Sequence, residues 1–217
     1  MDGYSFGYPT ECRRCASLPN VELDPQVRPY FREGDALRVM LIGQDPTIYE
    51  KPKRVHYVLM LDQERGALRR WLREEVFGRN YFDSLTLYAT NLVKCAFREP
   101  PSRLGGLKFL RPYFENCRQH LTEEISRFQP TLVLTLGEPA HKLFITTLDN
   151  RAGIEEDMKE AFTGRFIRAK LRGIEFDYSP CLHIKTFRVA ETYGDKLKRF
   201  KRGLADYFKE SGQGLTE

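Results

Sequence analysis

Three apolar runs separated by amphipathic stretches constrain this chain more than any other feature. "ALRVMLIG" (36–43), "LTLYATNLV" (85–93) and "PTLVLTLG" (130–137) are nearly continuous rather than alternating, which is the pattern of strands buried on both faces. Between them, Leu68, Trp71, Leu72 and Val76 fall at helical spacing, as do Phe114, Cys117, Leu121, Ile125 and Phe128, each set forming one apolar stripe. "EPAHKLFITTL" opens another helix directly after the third strand. "GRFIRAKLRGIEFDYSPCLHI" reads as a hairpin leading into a fourth strand that ends near His183, and Leu197, Phe200, Leu204 and Phe208 line a last helix. Strands alternating with helices predict a three-layer α/β/α domain with a central, mainly parallel, four-stranded sheet. A chain of 217 residues is long enough for one such core, and residues 1–217 are read as a single domain.

In open sheets of this kind ligands sit outside the carboxyl ends of the strands. Asp45 follows the first strand in "LIGQDPT", Asn91 lies late in the second, and His183 ends the fourth. Each has a plain alternative: a cap or Asx-turn for Asp45, a loop carbonyl partner for Asn91, a structural role for His183.

Composition excludes some classes. No apolar run approaches the roughly 20 residues that span a bilayer, and "MDGYSFGYPTECRRC" has no signal-like apolar stretch. An intracellular, cytoplasmic, monomeric protein is expected. The formal charge of +5 says little, but "KLKRFKR" places five basic residues in seven, either a solvated helix face or a contact for phosphates.

The cysteines add a second constraint. Cys12 and Cys15 form a C-x2-C pair, Cys95 and Cys117 follow with 21 residues between them, and Cys181 stands alone. In a reducing compartment a C-x2-C pair points to metal or redox chemistry rather than to a disulfide. Four thiolates so spaced suit tetrahedral zinc or an iron–sulfur cluster; the alternative is that Cys95 and Cys117 are small buried apolar residues.

Taken in order, "LIGQDP", "YATNLVKC", "LVLTLG" and "CLHIKTF" resemble the successive motifs of the uracil-DNA glycosylase superfamily. "GQDP" is similar to the water-activating motif of the classical uracil glycosylases. "TNLVKC", the helix cysteine of "FENCRQHL" and the N-terminal C-x2-C resemble the iron–sulfur branch called family 4. Thr47 and Ile48 stand where the classical enzymes have Tyr-His, and "HIKTF" stands where a His-Pro motif is usual.

The resemblance implies excision of uracil, or another deaminated base, from DNA. Asp45 and His183 would be catalytic, while Gly43, Gln44, Pro46 and Asn91 would bind the substrate. Lys185, Thr186 and Phe187 would contact DNA, Phe187 as the wedge that fills the vacated stack. Cys12, Cys15, Cys95 and Cys117 would hold a [4Fe-4S] cluster, with zinc the less favoured occupant, tying residues 1–35 to the domain. Leu61, Tyr57 and Tyr49 are the candidates to stack on the base. Two rivals stand beside this reading. One is an inactive nucleic-acid-binding module of the same fold. The other is an unrelated α/β enzyme acting on nucleotides, which would need a glycine-rich phosphate loop that "GQDPT" does not provide.

Overall fold

The computed structural model describes residues 6–23, 27–46, 55–183 and 190–213. Among these residues eight strands run in chain order as β1 (Val21–Glu22), β2 (Tyr30–Arg32), β3 (Arg38–Gly43), β4 (Thr86–Asn91), β5 (Ala96–Phe97), β6 (Leu132–Leu136), β7 (Ile167–Leu171) and β8 (Ile174–Cys181). The helices are α1 (Ala67–Trp71), continued by a wider turn at Leu72–Val76, then α2 (Arg79–Ser84), α3 (Leu107–Phe128), α4 (Glu138–Phe144), α5 (Met158–Ala161) and α6 (Ala190–Phe208).

The main sheet has the order β2-β4-β3-β6-β8-β7. Its inner four strands, β4, β3, β6 and β8, are mutually parallel and correspond to the four predicted runs. The expectation of a four-stranded sheet is corrected to six, because an antiparallel strand closes each edge. At one edge β2 adds only three residues against β4. At the other, β7 joins β8 through a two-residue turn, Arg172-Gly173, with φ of 48° and 84°. Two successive positive φ values match the right-handed twist of the flanking strands.

Alternate residues of the inner strands feed separate cores. Val39 and Leu41 of β3 pack with Leu68 and Trp71 of α1, Phe82 of α2 and Phe200, Leu204 and Phe208 of α6. Met40 and Ile42 pack with α3 and α4 through Leu110, Phe114, Leu121, Ile125 and Phe144. The sheet is therefore buried on both faces, which is why its strands read as unbroken apolar runs. Among the described residues no helix is long and apolar enough to cross a membrane.

The parallel register also aligns the strand ends. Gly43 pairs with Asn91, Ile42 with Thr135, and Leu136 with Cys181. The carboxyl ends of the inner strands thus open on one edge of the sheet, where the polar residues of the sequence motifs gather.

Candidate functional site

At that edge lies a cavity of about 430 Å³. Gly43, Gln44 and Asp45 form one wall, Leu136, Gly137 and His183 another, and Pro100, Pro101 and Ser102 of the loop before α3 a third. Two tight turns set the polar walls. After β3, the turn is pinned when the amides of Leu92 and Val93 donate to the carbonyls of Gly43 and Gln44 at 2.9 and 3.0 Å. Gln44 Nε2 then donates to Asp45 Oδ1 at 2.5 Å, fixing the carboxylate beside the cavity. After β6, the amide of Gly137 donates to the carbonyl of Cys181 at 2.8 Å. Gly137 has φ of 89°, and a Cβ there would lie 3.3 Å from the Cβ of His183, so the glycine both makes the turn and lets the histidine in.

Asn91 stands one layer behind this wall. It is only 2% exposed, yet its Oδ1 has no hydrogen-bond partner among the described residues. A Cβ on Gly43 would meet that oxygen at 2.4 Å and Leu59 Cδ2 at 3.0 Å. Glycine at 43 is thus required by the close approach of the carboxamide, and the orphaned acceptor lies directly behind the cavity wall that Gly43 forms. A buried acceptor without a donor costs about 1–3 kcal/mol, a cost that a ligand carrying an N–H removes. Gly43→Ala should push the carboxamide aside while leaving Asp45 in its turn. The expected result is a loss in the reaction of the site on the order of a hundredfold, the usual penalty for misplacing a group by about 1 Å, with a melting temperature that falls only modestly. Unchanged activity in that variant would show that Asn91 is not part of the site.

Of the expected site residues, Gly43, Gln44, Asp45 and His183 are brought together around the cavity. Pro46 is buried just beyond the lining. Lys185, Thr186, Phe187 and Tyr49 lie outside the described residues. Two of the three stacking candidates lie away from the cavity lining. Leu61 is fully buried in the core under the sheet, and Tyr57 sits edge-on to Tyr30 with ring centroids 6.4 Å apart. Neither lines the cavity. Leu59 does, and its backbone is left-handed with φ of 60°, followed by Met60 at 51°. Two such residues in succession cost of order 1–2 kcal/mol each, so the chain holds strain where an aliphatic side chain enters the site.

The structure also adds Glu138, paired with Lys142 at 2.5 Å across one turn of α4. A signal for it was present: "GEP" after β6 repeats the glycine–acid–proline order of "GQDP" after β3.

Four of the cysteines lie on three segments that pack together. β1 pairs antiparallel with β5, next to Cys95. Tyr113 of α3 donates through its hydroxyl to the carbonyl of Pro19, and Asn116 Nδ2 donates to the carbonyl of Arg14 at 2.9 Å. The N-terminal turn is thereby laid along α3. Cys15, Cys95 and Cys117 share one apolar cluster, each 2% exposed, while Cys12 is half-buried with Sγ 3.7 Å from His120 Nε2. Asn116 Nδ2 reaches Cys15 Sγ at 3.4 Å. Burial pushes the Cys117 thiol up to about 11, against the pull of the Lys94 amide and charge, and Cys15 and Cys12 push it further. Burial likewise raises Cys15, which Cys12 pushes further. The thiols are near enough to influence one another's charge. Among the described residues no three His, Cys, Asp or Glu side chains form a ready metal-ion site.

The family model of the Uracil DNA glycosylase superfamily matches residues 31–200. The chain belongs to that superfamily. Comparison with curated proteins gives no match. Membership in the uracil DNA glycosylase superfamily points to a glycosylase-type function and to DNA as the partner, and it accords with the α/β fold described above. The matched span includes Asp45, Asn91, Cys95, Cys117 and His183, whereas Cys12 and Cys15 precede it.

Inside the same span lies a feature that sequence reading missed. Lys94 and Glu124 form an ion pair with side chains 1% and 0% exposed. Lys94 Nζ donates to Glu124 Oε2, to Thr90 Oγ1 at 2.7 Å and to the carbonyl of Asn91 at 2.6 Å. Tyr88 and Thr90 hydroxyls both donate to Glu124 Oε1 at 2.6 Å. All three ammonium protons are used and both carboxylate oxygens are occupied, the condition under which a buried pair is tolerable.

Proposed function

We propose that the protein hydrolyses the N-glycosidic bond of uracil, or of another deaminated base, rotated out of DNA, leaving an abasic site. The observation that carries this reading is the buried Oδ1 of Asn91, without a partner among the described residues, behind a cavity flanked by Asp45 and His183. A base within the duplex cannot be reached, so it must be flipped into such a pocket at a cost of a few kcal/mol. A carboxamide offers an acceptor for N3–H and a donor for O4 of uracil, whereas cytosine presents the reverse pattern.

As the bond from sugar to base breaks, the sugar gains positive and the base negative charge. Asp45, held by Gln44, faces the growing cation and orients the attacking water, as carboxylates do in glycoside hydrolysis. His183 donates a hydrogen bond to O2 of the leaving base. Gly43, Gln44 and Pro46 shape the turn that positions the carboxylate.

The deciding experiment is incubation with a uracil-containing oligonucleotide, followed by alkaline cleavage of abasic sites. Strand breaks are expected with the wild-type chain. In Asn91→Asp the preference for uracil over cytosine should fall by roughly ten- to a hundredfold, because a carboxylate cannot donate to O4. DNA binding without base release would instead favour an inactive binding module of this fold.

Within the superfamily we place the chain in the iron–sulfur branch, with a classical-type first motif. Four reduced cysteines from three adjoining segments, with N–H donors directed at Cys15 and Cys117, supply the donor chemistry that a [4Fe-4S] cluster takes. Such a group would tie the N-terminal segment and α3 to the loop after β4, and no step of base release passes through it. Burial favours the neutral thiols of Cys15 and Cys117, so loading would release protons. Protein purified without oxygen should be brown and carry about four irons per chain. Colourless protein with a single zinc would replace the cluster and keep the ligands.

A further inference from the structure

The carbonyl of Asn91 is the last acceptor of β4. Beyond it the chain turns to bond the end of β3, through the amides of Leu92 and Val93. Asn91 is 2% exposed, and a carbonyl left unpaired at such a place would itself need a donor. Lys94 Nζ supplies one at 2.6 Å. The side-chain oxygen of Asn91, by contrast, has no partner among the described residues, so none of them sets its direction through a bond to that atom. The placement of the carboxamide therefore follows from the placement of its backbone, and Lys94 grips that backbone.

Lys94 is gripped in turn. Its ammonium is clamped by Glu124 and Thr90, with the ring of Tyr8 5.1 Å away. Glu124 lies on the stripe of α3 that also carries Cys117 and Leu121, seven residues beyond the cysteine and so on the same face. A solvated lysine would leave this geometry to chance; a fully enclosed one admits a single arrangement.

We propose that Lys94, fixed by Glu124, is a positioning residue that sets the direction of Asn91 toward the cavity. The inference rests on Asn91 being the base-reading group and adds what holds that group in register. Lys94 touches neither the cavity nor the bound base. It acts through the Asn91 carbonyl, and Glu124 of α3 thereby supports the reading of a base without lining the cavity itself.

Lys94→Met alone strands the Glu124 carboxylate, so the double variant Lys94→Met/Glu124→Gln carries the test, with Glu124→Gln as its milder companion. The Asn91 side-chain amide, labelled with ¹⁵N and assigned by its loss in Asn91→Ala, reports position directly by NMR. Beside it we would measure single-turnover release of uracil, inhibition by free uracil and the melting curve. The double variant should melt cooperatively, shift or broaden the Asn91 amide pair, and lose about tenfold or more in uracil inhibition and in single-turnover rate. Glu124→Gln, which keeps Lys94 and an acceptor for it, should change the same readings in the same direction but less. A merely structural pair would lower the melting temperature and leave the amide signal and uracil inhibition where they were; that result overturns the proposal. Absence of uracil release by the wild-type chain would overturn the glycosylase reading alone, because the amide signal still decides whether Lys94 positions Asn91.

Discussion

Glu124→Ala is expected to destabilise the protein by about 3–5 kcal/mol, the cost of leaving one member of a buried ion pair without its partner. For a chain of this size that corresponds to a fall in melting temperature on the order of 10 °C. Lys94 loses its counter-ion, and the hydroxyls of Tyr88 and Thr90 lose the oxygen they share. Water does not replace them, since both side chains of the pair are sealed from solvent. An exposed pair provides the control. Arg73 meets Asp83 at 2.5 Å through a forked contact, but the side chains are 35% and 47% exposed, and removing Asp83 should cost less than about 1 kcal/mol. Equal losses in Glu124→Ala and Asp83→Ala, measured by thermal or urea unfolding, would show that burial does not set the value of the network.

The inner sheet was legible because its strands are buried on both faces and must be apolar throughout. The outer strands were not. Tyr30–Arg32 follows Pro29 and is three residues long, too short to show a period. Ile167–Leu171 alternates, with Ala169 and Leu171 buried and Arg168 and Lys170 exposed, and was visible as half of a hairpin but not as a sixth strand. Edge pairing depends on which neighbour is left unpaired, and local sequence does not state that.

The candidate site was legible to the extent that its residues sit in turns with fixed chemistry. Gly43, Asp45 and His183 stand at strand ends, where glycine and proline mark the break. Leu59 was hidden, since nothing in "HYVLMLD" announces two left-handed residues in succession. Lys94 reads as an ordinary solvated lysine in "NLVKC", and only packing reveals that it is enclosed. Glu124 could have been found: it interrupts the apolar stripe of α3 between Leu121 and Phe128, and an acid on a buried stripe demands a partner.

The largest catalytic effect is expected at Asp45. Asparagine there keeps the volume and an acceptor for Gln44 Nε2 but removes the negative charge that would face the sugar. If that charge stabilises the transition state, DNA affinity should be retained while the single-turnover rate falls a hundred- to a thousandfold, or about 3–4 kcal/mol. His183→Ala removes a donor that gains strength only as charge builds on the leaving base, so it too should lower the single-turnover rate rather than the affinity. A turn-forming role for Asp45 gives a different pattern, with lower stability by about 1 kcal/mol and near-normal release per folded molecule. Single-turnover excision beside melting curves for both variants separates the two. Full release by Asp45→Asn sinks the mechanism proposed for this site. Loss in Asp45→Asn with normal release by His183→Ala keeps the carboxylate's role and leaves the departing base to be stabilised by Asn91 alone.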